Sequence, residues 1–171
     1  MTVVEKPALT RASVVEAAAR IAPHIRRTPT ERSPALSQLA GRDVYLKLEN
    51  LQRTGAFKIR GALNALMRLD AARRAAGVVT ASAGNHGQGV AFAAQLVGAP
   101  ATVVLPQGVP LAKLTAIQRS GAETVLATTL DERTVCLAAV RPERLAEFRR
   151  DVVHLVAEGI ADRVEAEPQI S

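Results

Sequence analysis

The 171-residue sequence has one cysteine, no tryptophan, one tyrosine and three phenylalanines. With Cys136 alone, neither a disulfide framework nor a cysteine-built zinc site can form within one chain, so no metal site is expected and a cytoplasmic address is the default. So few aromatic rings provide no row of stacking platforms for bases. The formal net charge is +6, yet the arginines are scattered, with pairs only at Arg26-Arg27 and Arg73-Arg74. Nucleic acid is therefore not an expected partner. No apolar run reaches the roughly 18 residues of a spanning helix, and Met1–Lys6 lacks the charged-then-apolar order of a secretory signal, so no membrane partner is expected. There is no internal repeat of fixed period. What is present is a globular composition, 48% hydrophobic and 22% charged, long enough for one ordinary domain or two small ones.

Apolar spacing predicts a helix over Ser13–Ile25 with Ser13 as cap, stopped before Pro29, and a short helix over Ser33–Leu39 ended by Gly41. Alternation over Asp43–Glu49 predicts a strand. A Gly55 turn then opens a helix that runs through Ile59–Arg74 to Gly77. From Val78 to Leu126 the order is strand, helix, strand, helix, strand. The strands are Val78–Ala81, Ala101–Leu105 and Glu123–Leu126; the helices are Gln88–Val97 and Pro110–Ser120. This alternation predicts an α/β fold, an open parallel sheet flanked by helices with right-handed crossovers. The loop Ser82–Gly87 then lies at the carboxyl end of a strand, where such sheets bind ligands.

Two segments carry chemistry. In the first, Lys47-Leu48-Glu49-Asn50-Leu51-Gln52-Arg53-Thr54-Gly55-Ala56-Phe57-Lys58-Ile59-Arg60-Gly61-Ala62, Lys58 follows a glycine turn at a helix start. The helix dipole and Arg60 both disfavour a second positive charge there, the setting imine chemistry needs. The small residues around Lys58 allow close approach of a bulky planar group. The alternative is one more solvated surface lysine. In the second, Thr80-Ala81-Ser82-Ala83-Gly84-Asn85-His86-Gly87-Gln88-Gly89, backbone amides at the following helix start can hold an anion such as a carboxylate, and Asn85 offers both donor and acceptor. Alone, this segment also reads as a tight strand-to-helix turn with Ser82 and Asn85 capping, and His86 as a structural histidine.

Together, in this order and spacing, the two segments resemble the pyridoxal-phosphate enzymes of the threonine dehydratase and serine racemase family, with the tryptophan-synthase-β-like fold. The resemblance runs from about Thr28-Pro29 to Leu126 or Glu132 and includes Pro106–Val125. The family's usual Ser-Phe-Lys reads Ala56-Phe57-Lys58 here, without the hydroxyl. The resemblance implies that Lys58 forms the Schiff base with pyridoxal 5'-phosphate and moves the α-proton. It implies that Phe57 packs beside the cofactor and that Asn85 hydrogen-bonds its 3-hydroxyl. Ser82, Ala83, Gly84, Asn85 and His86 correspond to the loop gripping the substrate carboxylate. Serine racemases place a second serine where Ala83 stands, so a two-base racemase is not implied. The implied reaction is β-elimination from a small hydroxy amino acid, threonine or serine, to a 2-oxo acid and ammonia.

Family members are about twice as long, and their second half supplies a glycine-rich phosphate loop. Here Gly159 is the one glycine after Gly121, and the balance of charge turns acidic beyond residue 126. The sequence thus predicts a fold incomplete relative to the family. Residues 1–77 would be part of the large cofactor domain, 78–132 a small α/β domain, and 133–171 a divergent helical tail with an apolar stripe over Leu145–Val156. An activity impaired by truncation is one expectation. One half of a split enzyme, with a complementing chain or a homo-oligomer, and a non-catalytic α/β interaction module are the others.

Overall fold

The computed structural model describes residues 9–82, 84–127 and 136–139. The first helix, α1 (Arg11–Ile21), begins two residues before the expected Ser13 because Thr10 is the cap. The Thr10 hydroxyl accepts the Ser13 N–H and the Ser13 hydroxyl accepts the Thr10 N–H, each at 3.1 Å, a reciprocal capping box. Pro23 has no N–H to continue the ladder, and the chain tightens into a 3₁₀ turn over Ala22–His24. Helix α2 (Pro34–Ala40) is capped by Ser33 and closed by Gly41 at φ 61°, as glycine at a left-handed C-cap predicts.

Strands β1 (Thr30–Arg32) and β2 (Tyr45–Lys47) pair antiparallel, Thr30 opposite Lys47 and Arg32 opposite Tyr45. The sequence reading had no strand at Thr30, and β2 is shorter than the alternation over 43–49. Every residue of both strands is exposed.

The long helix expected over 59–74 is two helices, α3 (Lys58–Met67) and α4 (Ala71–Ala76). Asp70 adopts extended backbone and its carboxylate accepts the Arg73 N–H at 2.8 Å. A helix interior thereby becomes a new N-cap. Gly77, at φ 90°, turns the chain into the sheet, where an added Cβ would meet the Pro100 carbonyl oxygen at 2.7 Å.

The sheet is ordered β5-β4-β3-β6. Strands β3 (Val78–Ala81), β4 (Ala101–Pro106) and β5 (Glu123–Ala127) are parallel, with Val78 opposite Ala101 and Thr102 opposite Glu123. The helices α5 (Asn85–Val97) and α6 (Leu111–Arg119) cross between them. This is the expected parallel α/β order. Strand β6 (Cys136–Ala139) was not expected: it adds antiparallel to β3, Ala81 opposite Cys136, in the stretch read as a helical tail. The helical stripe over 145–156 lies outside the described residues. The core joins Ile59, Leu63 and Leu66 of α3 to Val90, Ala91 and Ala94 of α5, with Val103 and Leu105 of β4 and Ile117 of α6. Small residues on α5 allow α3 to lie close, and that contact sets the geometry of the site.

Candidate functional site

Gly55, at φ 68°, bends the chain ahead of α3, and Ala56 is buried beneath the turn. Phe57 is the N-cap of α3 and supplies no side-chain acceptor. Lys58 is the first helical residue, half-buried, with Nζ 5.2 Å from the centroid of the Phe57 ring. That contact is a cation–π pair worth roughly 0.5–1 kcal/mol where solvent reaches it. The outward face of Phe57 stays exposed.

Arg60 does not act on Lys58 as a free neighbouring cation, as the sequence reading had it. Its Nε donates to Glu49 Oε2 at 2.9 Å and its Nη2 to Glu49 Oε1 at 2.7 Å. The Thr28 hydroxyl donates to Glu49 Oε1 at 2.6 Å. The guanidinium, helped by Thr28 and Lys47 against the cost of burial, pulls the Glu49 carboxyl down to about 2.

On the other side, Ser82 ends β3. Its N–H donates to the Val104 carbonyl at 3.0 Å and its hydroxyl accepts the Gly84 N–H at 3.2 Å. Helix α5 starts at Asn85, three residues before the expected Gln88, so Asn85 and His86 form its first turn instead of a loop. Gly84 is the N-cap, without a side-chain acceptor, and no acidic residue occupies the first turn. The positive end of the α5 dipole is therefore left for an external anion. Asn85 is exposed and His86 half-buried. Ala83 lies outside the described residues.

Two glycines decide how closely these parts meet. A Cβ on Gly87 would lie 3.0 Å from Val103 Cγ1 and 3.2 Å from the Ser82 carbonyl oxygen, so α5 rests directly on the end of β3 and on β4. A Cβ on Gly89 would lie 3.1 Å from the Ile59 nitrogen and the Lys58 carbonyl carbon, and 3.3 Å from Lys58 Cβ. Lys58 is thus seated against the second turn of α5. His86 lies within reach of the same charge: burial first, then Lys58, lowers its pKa below 6.5. Among the described residues its buried Nε2 has no hydrogen-bond partner, an orphaned group of the kind a ligand would satisfy.

Lys58 is thus placed against α5 near His86, and Ser82 at the end of β3 lies against Gly87 of the same helix, whose first residue is Asn85. Glu49, Gln52 and Gly89 lie within the two segments singled out in the sequence and Thr28 at the start of the resemblance, but sequence reasoning gave none of them a role. Glycines at 87 and 89 inside a helical pattern were a usable signal of close backbone approach. An ion pair between residues 49 and 60 belongs to no periodic pattern and had none.

Residues 21–160 match the family described as pyridoxal-phosphate dependent enzyme. The chain is 52% identical over 102 residues to an L-threonine ammonia-lyase of Thermotoga maritima, covering 60% of this chain and 25% of that protein. It is 49% identical over 119 residues to an L-threo-3-hydroxyaspartate ammonia-lyase of a Pseudomonas species, covering 70% of this chain and 37% of the relative. The solved structure of maize serine racemase superposes with a TM-score of 0.70 at 34% identity, covering 86% of this chain and 43% of that one. The chain spans a quarter to about two fifths of the length of these two ammonia-lyases.

Proposed function

The chain belongs to the pyridoxal-phosphate dependent enzyme family, and on that premise we propose that it carries the lysine side of a threonine/serine dehydratase-like site. The reaction is β-elimination of water from a small hydroxy amino acid, followed by hydrolysis of the resulting enamine, through its imine, by one water to give a 2-oxo acid and ammonia. The observation that carries this reading is the seating of Lys58 against Gly89, on the helix whose first turn holds Asn85 and the unpartnered His86 Nε2.

The described residues fit the aldehyde and ring of pyridoxal phosphate: an amine at Lys58, an aromatic face at Phe57, an amide at Asn85 and an orphaned imidazole nitrogen at His86. Bound there, the group supplies an electron sink for the carbanion left by loss of the α-proton. Lys58 Nζ would hold the aldehyde and would take the α-proton of the amino acid. The Asn85 side chain would hold the ring's 3-hydroxyl. The first-turn amides of α5, with Ser82, Ala83 and Gly84 before them, orient the substrate carboxylate. Ala83 has no exchangeable proton, which favours elimination over a two-base racemisation.

Titration of the chain with pyridoxal phosphate, borohydride reduction and peptide mapping tests this reading. The label is expected on Lys58, not on Lys47 or Lys113, and Asn85→Ala should weaken the titration by about tenfold, the loss of one hydrogen bond to a charged group. A label distributed over the three lysines in proportion to exposure would refute the reading. Ammonia release from threonine and serine by the loaded chain reads the activity directly.

A further inference from the structure

We infer that Glu49 and Arg60 are positioning residues that hold the first turn of α3, and with it Lys58, in place of a helix cap. This rests on the reading of Lys58 given above. A helix start leaves its first N–H groups without intrahelical partners, and a side-chain cap ordinarily restrains that turn. Phe57 cannot cap, and α3 has none. The turn entering the helix also contains Gly55, the most permissive residue. Something else must keep Lys58 from fraying out of the helix.

Arg60, in the same turn as Lys58, is fastened by two parallel bonds to Glu49, at 2.7 and 2.9 Å. Such a fork fixes direction as well as distance. Glu49 is itself held: it opens the 3₁₀ turn Glu49–Leu51 and takes the Thr28 hydroxyl at 2.6 Å. Thr28 is buried and its carbonyl accepts from Lys47 Nζ. The segment around it is clamped once more by Gln52, also buried. The Gln52 side chain accepts the Arg26 N–H at 2.9 Å and the Arg53 N–H at 3.0 Å, and donates to the Arg26 carbonyl at 2.8 Å. The five-residue turn Arg53–Phe57 is therefore tied down on both sides, by Gln52 before it and by Arg60 after it. Gly89 closes the third side against Lys58 itself.

The test compares the chain with Arg60→Lys, which keeps the charge but loses the fork, and with Thr28→Val, which is nearly isosteric and removes only the hydroxyl. Two readouts are taken on folded protein. The first is the rate of borohydride-trapped pyridoxal phosphate at Lys58 relative to Lys113 on α6 in the same sample. The second is amide hydrogen exchange of the peptide covering residues 57–66, without cofactor. Arg60→Lys is expected to lower the Lys58:Lys113 ratio at least tenfold and to speed exchange in that peptide while the α5 and α6 peptides stay unchanged. Thr28→Val should move both readouts in the same direction, about threefold. A merely structural role would lower thermal stability and loosen all peptides together without changing the labelling ratio, and that result would overturn the inference. If Arg60→Lys does not fold, an unchanged ratio and unchanged exchange in Thr28→Val overturns it. Should the unsubstituted chain take no label at Lys58, the proposed function fails, while the exchange readout still decides the positioning role.

Discussion

Two glycines inside helices should respond differently to the same substitution. Gly61 sits in α3 on an exposed face, and an added Cβ meets nothing within 4 Å. Its alanine variant should gain the intrinsic helix advantage, roughly 0.8–1 kcal/mol. Gly89 in α5 has the same intrinsic advantage, but its Cβ would lie 3.1 Å from two backbone atoms of α3. Carbon contacts prefer about 3.5–4.0 Å, and a backbone cannot rotate aside as a long side chain can. The helix pair must open by a few tenths of an ångström at its closest point, and overpacking of this kind costs typically 1–3 kcal/mol. Gly89→Ala should therefore be neutral to about 2 kcal/mol less stable than the unsubstituted chain. The gap between the two variants is on the order of 1–3 kcal/mol. Urea unfolding followed by circular dichroism measures it, with equal m-values confirming that the unfolded states are alike. Because the displaced atoms belong to Lys58 and Ile59, Gly89→Ala should also slow cofactor trapping at Lys58, whereas Gly61→Ala leaves the position of α3 unchanged. Equal stabilisation by the two alanines would show that α3 and α5 are not in the contact described, and the assembly of the site would fall with it.

The remaining predictions concern pH. Glu49, held down to about 2 chiefly by Arg60, contributes stability that is complete above its unfolded pKa of about 4.5 and is lost as pH falls toward 2. Allowing for partial exposure of the pair, about 2 kcal/mol is at stake. The difference in urea midpoint between the chain and Glu49→Gln should shrink between about pH 5 and pH 3, and a constant difference would refute the ion pair. His86 is lowered by burial first and by Lys58 second, so protonation favours the unfolded chain; its contribution is complete above about 6.5 and is lost as pH falls below that through the folded pKa. Its imidazole resonance should titrate below 6.5, and Lys58→Met should raise the midpoint part of the way back. No movement on removing Lys58 would separate the two residues.

The parallel α/β order was legible because its signals are local. Short apolar runs at Val78, Ala101 and Glu123, with glycines at 77, 98 and 121 between them, are patterns a few residues long. What escaped the sequence reading depends on contacts that no short window contains. The run from 59 to 74 keeps its apolar spacing through Leu69, so only the competition between Asp70 as a helix interior and Asp70 as a cap divides it. Strand β6 pairs with a residue set more than fifty positions earlier, and Cys-Leu-Ala-Ala shows no alternation to announce it.

The site divides along the same line. Lys58 and the Asn85-His86 turn are recognisable by what surrounds them in sequence, and the fold places Lys58 against α5 near His86. The means by which Lys58 is held are not recognisable in that way. Lys47, Glu49, Gln52 and Arg60 fall at irregular intervals, and each looks like an ordinary solvated residue when read alone. Their meaning comes from Thr28 and Arg26, some twenty residues earlier, whose backbone and hydroxyl they bind. A buried Gln52 that satisfies three backbone groups at once is costly to replace, since each deserted group loses its partner away from water. Reactive residues can thus be found from their neighbours in the chain, whereas the groups that orient them can be found only where distant segments meet. Here that meeting place is the turn from Gln52 to Arg60, which has Lys58 near its end and no helix cap of its own.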